Sequence, residues 1–131
     1  MKIWIIAAAL CCAGFAGDNT LKFMKAWKGK YPYQVKLLDH KILKPLLQKL
    51  LGSRYAFVKT VYQVQTPIEI SNGIFFSEAM EAHSGGDPSA AIAADIDHNI
   101  LFAATFENGV KKIYAEKNAS PPAKINEWQT H

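Results

Sequence analysis

Residues 89–106 read SAAIAADIDHNILFAATF, and the fold class follows from this stretch. Two apolar runs lie on either side of a polar turn, Asp97-His98-Asn99. From residue 61 onwards the apolar residues tend towards a period of two, which is typical of strands. Two such runs joined by a short polar turn predict an antiparallel hairpin.

Two further hairpins flank this one. Before it, the runs 61–70 and 74–80 are joined by Asn72-Gly73, a strong turn signal because both residues tolerate positive φ. After it, Asn108-Gly109 leads into residues 110–116, VKKIYAE. The three hairpins together predict about five antiparallel strands.

Helical spacing replaces the strand pattern in the residues before the sheet. Residues 18–33 carry three apolar side chains that would share one side of a short helix. These apolar residues are Leu21, Met24 and Trp27. The lysines predicted to line the outer side of the same helix are Lys22, Lys25 and Lys28.

The main helix is predicted over residues 44–51, where leucines form an apolar stripe. Pro45 fits the first turn of this helix, and Gly52 is its expected C-terminal stop. Residues 36–42 are predicted to form a separate turn. Residues 54–60 have features of both helix and strand, and we expect a helix.

The last predicted element is a short helix in PPAKINEW, residues 121–128, with proline at its start and Ile125 and Trp128 facing inward. The fold class is therefore α+β: N-terminal helices followed by an about five-stranded antiparallel sheet and a short C-terminal helix. A length of 131 residues predicts one domain.

The first seventeen residues, MKIWIIAAALCCAGFAG, have one lysine, an apolar run and then small residues, which is typical of a secretory signal peptide. The apolar run is shorter than the roughly 20 residues that span a bilayer. We therefore expect a signal peptide over 1–17, one domain over 18–131, a periplasmic location and no transmembrane segment after signal removal. Lipidation at Cys11 or Cys12 is the alternative. Since these are the only two cysteines, the mature chain has no disulfide.

Charge is divided between segments of the chain, although the overall net charge is only +4. Residues 18–59 contain ten Lys or Arg and two acids, whereas residues 60–110 contain seven acids and no Lys or Arg. This division predicts faces for partners of opposite sign, or two segments that are each simply solvated, or two segments that pair in the fold. An anionic envelope polymer or a membrane surface is a candidate partner of the basic segment, and a plain solvated face is the alternative. Nucleic acid is not predicted as a partner, because the chain is expected to be secreted.

The loop over residues 81–88, EAHSGGDP, is longer than a tight hairpin needs. Loops held on a rigid sheet often carry function, and this one presents a histidine between small residues. An imidazole has nitrogens on opposite edges, so it can contact two carboxylates at once in a narrow cleft. Retaining glycosidases hold such a pair about 5–5.5 Å apart. The predicted partner-binding residues are His83, Ala82, Ser84, Glu81, Gly85, Gly86 and Asp87.

Catalysis and metal binding are not predicted. Ser84 adjoins His83, where neighbouring side chains diverge, and no Gly-x-Ser-x-Gly stretch is present. No catalytic residue is therefore assigned, and the chain is not predicted to be an enzyme. No metal or cofactor is predicted either, because the acids and histidines of the sheet region lack metal-ligand spacing. These are His83, Asp87, Asp95 and His98. His98 is interpreted as a turn residue, and His40 as an exposed residue of the basic segment.

Several stretches together resemble the inhibitor of vertebrate lysozyme family. They are MEAHSGG, AAIAADIDHNILFAATFENGVKKIY and PPAKINEW, preceded by LLGSRYAFV and TPIEI with Asn72-Gly73. The resemblance covers about residues 45–129. It implies a secreted bacterial envelope protein with an antiparallel sheet and a projecting loop, whose histidine enters the active-site cleft of lysozyme and meets the catalytic carboxylates. That role carries over to His83, with Ala82 and Ser84 beside it.

One departure from the family pattern concerns the two cysteines that close its loop, which fall on Met80 and Gly85 here. Without that bridge, ordering free backbone costs roughly 1–2 kcal/mol per residue. The resemblance predicts a secreted binding protein that inserts its histidine loop into a lysozyme-type glycosidase. The alternatives are a small envelope-binding domain that uses the basic N-terminal face, and a family relative without inhibitory activity.

Overall fold

The structure, a computed structural model, describes residues 20–130. The segment predicted as a signal peptide and both cysteines lie outside the described residues, so those predictions stay predictions.

One antiparallel sheet forms the centre of the described part of the chain, and the predicted α+β class is confirmed. Its strands lie in the order β1-β3-β4-β5-β6, with β2 also paired to β3. The strands are β1 (Val64–Gln65), β2 (Glu69–Ser71), β3 (Ile74–Met80), β4 (Ser89–Asp95), β5 (Ile100–Glu107) and β6 (Val110–Ala115).

The sheet has six strands, and not about five, because the predicted strand over 61–70 is divided. β1 pairs with the end of β3 and β2 with its beginning, while Pro67 lies between them. Proline cannot donate a backbone hydrogen bond to a ladder. The N-terminal segment closes this gap: the Gly29 amide donates to the Ile68 carbonyl (2.9 Å), and the Ile68 amide donates to the Lys30 carbonyl (2.7 Å).

The three predicted hairpins are confirmed, and local turn chemistry explains two of them directly. Asn72-Gly73 joins β2 to β3 with φ of 52° and 79°, and Asn108-Gly109 joins β5 to β6 with φ of 54° and 76°. Asparagine and glycine accept these left-handed angles at small cost, so the two-residue turns form readily. The β4–β5 connection has four residues, since Asp95 pairs with Ile100.

Both faces of the sheet are covered by other elements. This explains why residues 90–94 of β4 are all apolar and do not alternate with polar residues. Ala90, Ile92 and Ala94 belong to the larger core under the N-terminal helices. Ala91 and Ala93 belong to a smaller core on the opposite face. The small side chains let elements on both sides pack closely against the sheet.

In the described residues, three α-helices and four 3₁₀ helices cover these faces. The α-helices are α1 (Leu43–Leu51), α2 (Arg54–Val61) and α3 (Ala123–Glu127); the 3₁₀ helices are Lys22–Trp27, Pro32–Val35, Leu37–Asp39 and Glu116–Asn118. Gly52 ends α1 with φ 58°, as predicted. Ile125 and Trp128 are buried, also as predicted. Within residues 20–130, no helix combines the length and the apolar character needed to cross a membrane.

A buried hydroxyl pair joins α2 to the sheet and gives a stability prediction. The Tyr62 and Ser77 hydroxyl oxygens lie 2.7 Å apart, and both residues are buried. Burial also raises the pKa of Tyr62. We expect Tyr62→Phe to lower the free energy of unfolding by about 1–3 kcal/mol, because the Ser77 hydroxyl loses its buried partner. Urea unfolding of Tyr62→Phe and of Tyr62→Phe/Ser77→Ala measures this, and equal stability loss in both variants would contradict it.

His40 is the one histidine that the sequence placed wrongly. It was predicted to be exposed, but it is half-buried. Its ring stacks on Phe23 with centroids 4.7 Å apart and meets Trp27 edge-on at 5.2 Å. Its Nδ1 accepts a hydrogen bond from the Ile42 amide (3.1 Å). Aromatic packing at a distance of 13–17 residues caused the error, because local sequence does not show it.

His40 therefore makes stability depend on pH. Burial, with a smaller contribution from Lys41, lowers its pKa below the usual value of 6.5. Folding therefore favours the neutral imidazole over the protonated one. The resulting stabilisation of the folded state is complete above pH 6.5, and it is lost as the pH falls through the lowered pKa. We expect the unfolding free energy of the wild type to fall relative to that of His40→Phe as the pH is lowered from 7.5 to 5. A difference that does not change with pH would contradict this.

Candidate functional site

The loop that carries His83 lies at one end of the sheet, between β3 and β4. Met80 pairs with Ser89 at the last rung of the ladder, and the Glu81 amide donates to the Pro88 carbonyl (3.2 Å) just beyond it. Residues 82–87 therefore form the projecting part. The Asp87–Pro88 peptide bond is cis.

His83 and Gly85 are the exposed residues of this loop, and His83 is the one of the two with a side chain. Its backbone has φ 60°, followed by φ 70° at Gly85 and 99° at Gly86. Three left-handed residues among four make the chain reverse tightly, and glycine adopts such angles without strain. Among residues 20–130 the His83 side chain has no hydrogen bond or ion pair. The imidazole is thus presented to solvent with both nitrogens available.

Asp87 fixes the far side of the loop to the neighbouring hairpin. One carboxylate oxygen accepts from the Asn108 amide and the other from the Gly109 amide, both at 2.9 Å. A carboxylate that accepts from backbone amides makes strong, charge-assisted hydrogen bonds. Asp87 was predicted as a partner-binding residue, and the structure gives its carboxylate a bonding role within the chain.

Two glutamine side chains hold the loop at other points. The Gln63 Oε1 accepts from the Ala82 amide (2.9 Å). The Gln129 Nε2 donates to the Gly86 carbonyl (3.2 Å) and to the Ser89 hydroxyl (2.9 Å). Together with Asp87, these contacts attach the loop on three sides. Hydrogen bonds to three distant parts of the chain thus hold the loop in place of the family's disulfide, which would have joined positions 80 and 85.

Sequence reasoning did not find these anchors. Gln63 lies 19 residues from Ala82, and Gln129 lies 43 residues from Gly86. Nothing in the local pattern of either glutamine distinguishes it from a solvated side chain. Only Asp87, which directly precedes proline in the loop itself, was available as a signal, and it was assigned to a partner.

Within residues 20–130, two ion pairs connect the basic segment to the acidic segment, while most side chains of the basic segment have no ion pair. Ion pairs join Lys25 to Asp97 (3.1 Å) and Arg54 to Glu107 (2.8 Å), and so connect the basic to the acidic segment. In the described part of the chain, Glu81 is the one acid of residues 60–110 whose side chain has no hydrogen bond or ion pair. This carboxylate lies two residues from His83.

His98 lies at the opposite end of β4, in the turn where it was predicted. Its Nδ1 is 2.9 Å from an Asp95 carboxylate oxygen, and this hydrogen bond raises the pKa of His98. His83 and Asp87 therefore lie at one end of the strand, and Asp95 and His98 at the other. No group of three or more potential metal ligands occurs within residues 20–130.

The fold and this site define a class: residues 20–130 form an α+β fold whose antiparallel sheet presents an exposed imidazole on a loop held by three sets of hydrogen bonds. The family model for inhibitor of vertebrate lysozyme (Ivy) matches residues 43–131, and the chain belongs to this family. This confirms the resemblance seen over about 45–129. The family is one of lysozyme inhibitors and not of enzymes. No curated protein and no solved structure gives a significant match.

Proposed function

We propose that this protein is a secreted inhibitor that inserts the His83 loop into the active-site cleft of a lysozyme-type glycosidase. The observation that carries the proposal is the exposure of His83 on an otherwise anchored loop. The family supports inhibition of lysozyme in general, and the loop geometry supports this particular mode.

The chemistry of the cleft matches that of the imidazole. A retaining glycosidase holds two carboxyl groups about 5–5.5 Å apart, and a protonated imidazole donates from both ring nitrogens. Each charge-assisted hydrogen bond contributes roughly 1.5–3 kcal/mol. Bound between the carboxyl groups, His83 would occupy the position of the scissile bond and exclude substrate.

The residues around His83 determine how far it can reach into a cleft. Ala82, Ser84 and Gly85 add little bulk, so the tip is narrow. Because the loop is already held by hydrogen bonds, less conformational entropy is lost on binding. Glu81 adds a free carboxylate near the tip, which suits a partner with basic residues at the rim of its cleft.

The proposal includes the route by which the protein meets its target. Residues 1–17 would be removed as a signal peptide, and residues 18–131 would form one periplasmic domain. The family's association with lysozyme supports this location, since the substrate of lysozyme lies in the cell envelope. A mass measurement of the exported chain tests it, and an N-terminus at Cys12 or at any earlier residue would contradict it.

A lysis assay tests the function directly. The mature protein is added to lysozyme with bacterial cell walls as substrate, and turbidity is followed. We expect the lysis rate to fall in proportion to the inhibitor added, with bovine serum albumin at the same concentration as the control. Unchanged lysis at a large molar excess, for vertebrate and bacterial lysozyme-type enzymes alike, would contradict the proposal.

A further inference from the structure

A row of lysines lies on the outer side of the 3₁₀ helix Lys22–Trp27. Because a 3₁₀ helix has three residues per turn and rises about 2 Å per residue, residues at i and i+3 lie one above another, about 6 Å apart. Leu21 and Met24 form the buried row. Lys22, Lys25 and Lys28 form the exposed row, which we call the lysine ridge.

The lysine ridge has little internal compensation. Lys22 and Lys28 have no ion pair within residues 20–130, and Lys25 has one exposed pair with Asp97, in which the two side chains are 48% and 59% exposed. Side chains attached to the backbone about 6 Å apart can bring their charges within the Debye length of about 8 Å at physiological ionic strength. The three ammonium groups therefore repel one another and together attract a repeating anion.

The ridge begins at the end of the sheet that is opposite the His83 loop. The Leu21 amide donates to the Asn99 side chain (2.9 Å), and Lys25 pairs with Asp97. Both acceptors lie in the β4–β5 turn. Strand β4 has seven residues, which at about 3.3 Å per residue separates this turn from the loop by roughly 20 Å.

We propose that the lysine ridge binds a linear polyanion of the cell envelope, a phosphate- or carboxylate-bearing polymer, while the His83 loop stays free. Charge complementarity supports a polymer, since three cations in a straight row match repeated anions on one chain. The placement supports simultaneous action, because the ridge begins at the end of the sheet away from the loop. The proposed polymer binding is independent of the proposed inhibition. Only the statement that the two surfaces act at the same time rests on the proposed function.

Salt-dependent retention on immobilised inorganic polyphosphate tests the ridge. The variant Lys22→Gln/Lys25→Gln/Lys28→Gln removes three charges from it. The matched control, Lys41→Gln/Lys49→Gln/Lys117→Gln, removes three exposed charges elsewhere. If each ridge contact contributes about 0.7 to the logarithmic salt slope, as for single-stranded polyanions, the ridge variant loses about 2 from the slope and the control much less. Immobilised polyglutamate, run in parallel, distinguishes phosphate from carboxylate chemistry.

Equal losses in the ridge variant and the control would overturn the proposal, because binding would then follow net charge alone. Ridge-dependent binding to anionic phospholipid vesicles without binding to either polymer would overturn it in favour of a membrane surface. Independence of the two surfaces has its own readout. We expect His83→Ala to keep full polymer retention and the ridge variant to keep full inhibition of lysis. Loss of polymer retention in His83→Ala would contradict the separation, whereas absent inhibition with intact retention would count only against the proposed function.

Discussion

Replacing His83 by alanine is expected to raise the inhibition constant for lysozyme by about 100-fold or more. Two charge-assisted hydrogen bonds at roughly 1.5–3 kcal/mol each give about 3–6 kcal/mol. Each 1.4 kcal/mol is a factor of ten in affinity, so the loss lies between about 10² and 10⁴. Because His83 is exposed and has no partner among residues 20–130, the substitution should leave the free energy of unfolding unchanged.

His98→Ala is the matched control for this experiment. It removes another exposed histidine, but one that lies at the opposite end of β4 and is bonded to Asp95. Inhibition titrations of both variants and of the wild type, with thermal melts of each, separate a binding effect from a folding effect. Equal inhibition by His83→Ala and the wild type would show that the imidazole does not enter the cleft.

The second large effect is expected from Asp87→Ala. This substitution keeps the His83 side chain but removes the hydrogen bonds from the Asn108 and Gly109 amides that hold the loop. Freed loop residues must be ordered on binding, at roughly 1–2 kcal/mol for each backbone residue fixed. Ordering one or two such residues weakens inhibition by about 10- to 100-fold. The readouts are the inhibition constant and hydrogen exchange at the Asn108 and Gly109 amides, which should become faster.

Glu107→Ala is the control for Asp87. It removes an acidic residue at the end of β5, beside the turn that Asp87 contacts. That residue forms an exposed ion pair with Arg54, in which the Arg54 side chain is 36% and the Glu107 side chain 45% exposed. Exposed pairs contribute little to stability, so inhibition should stay close to the wild-type value. Faster amide exchange in Asp87→Ala without weaker inhibition would mean that loop order is not needed for binding.

Hydrogen bonds take the place of the family's disulfide in holding the His83 loop, and the sequence alone did not show this. The absence of cysteines at Met80 and Gly85 suggested a loop that must be ordered at the time of binding. In the structure, Asp87, Gln63 and Gln129 hold that loop by hydrogen bonds. Each individual bond is weaker than a covalent bridge, but together they connect the loop to three other parts of the chain.

The parts of the fold that could be predicted are those set by local chemistry. Asn72-Gly73 and Asn108-Gly109 specify two-residue turns through their backbone angles, and Gly52 specifies a helix end. The spacing of Leu21, Met24 and Trp27 also indicated a helix, although the exact period of three fits the observed 3₁₀ geometry better than an α-helix.

The parts that could not be predicted depend on contacts between distant residues. The stacking of His40 on Phe23 and Trp27 is one example. The interruption at Pro67 is another, because the N-terminal segment that covers it lies some 40 residues away. Ion pairs such as Arg54–Glu107 are a third example, because they join residues that are more than 50 positions apart in the sequence.

A crystal structure of the protein bound to a lysozyme-type glycosidase would decide whether the loop plugs the catalytic groove. We expect one His83 ring nitrogen within about 3.2 Å of each catalytic carboxyl group, with the Asp87 bonds to the β5–β6 turn preserved. A complex in which the loop faces bulk solvent, and the enzyme is held through another surface, would contradict the account.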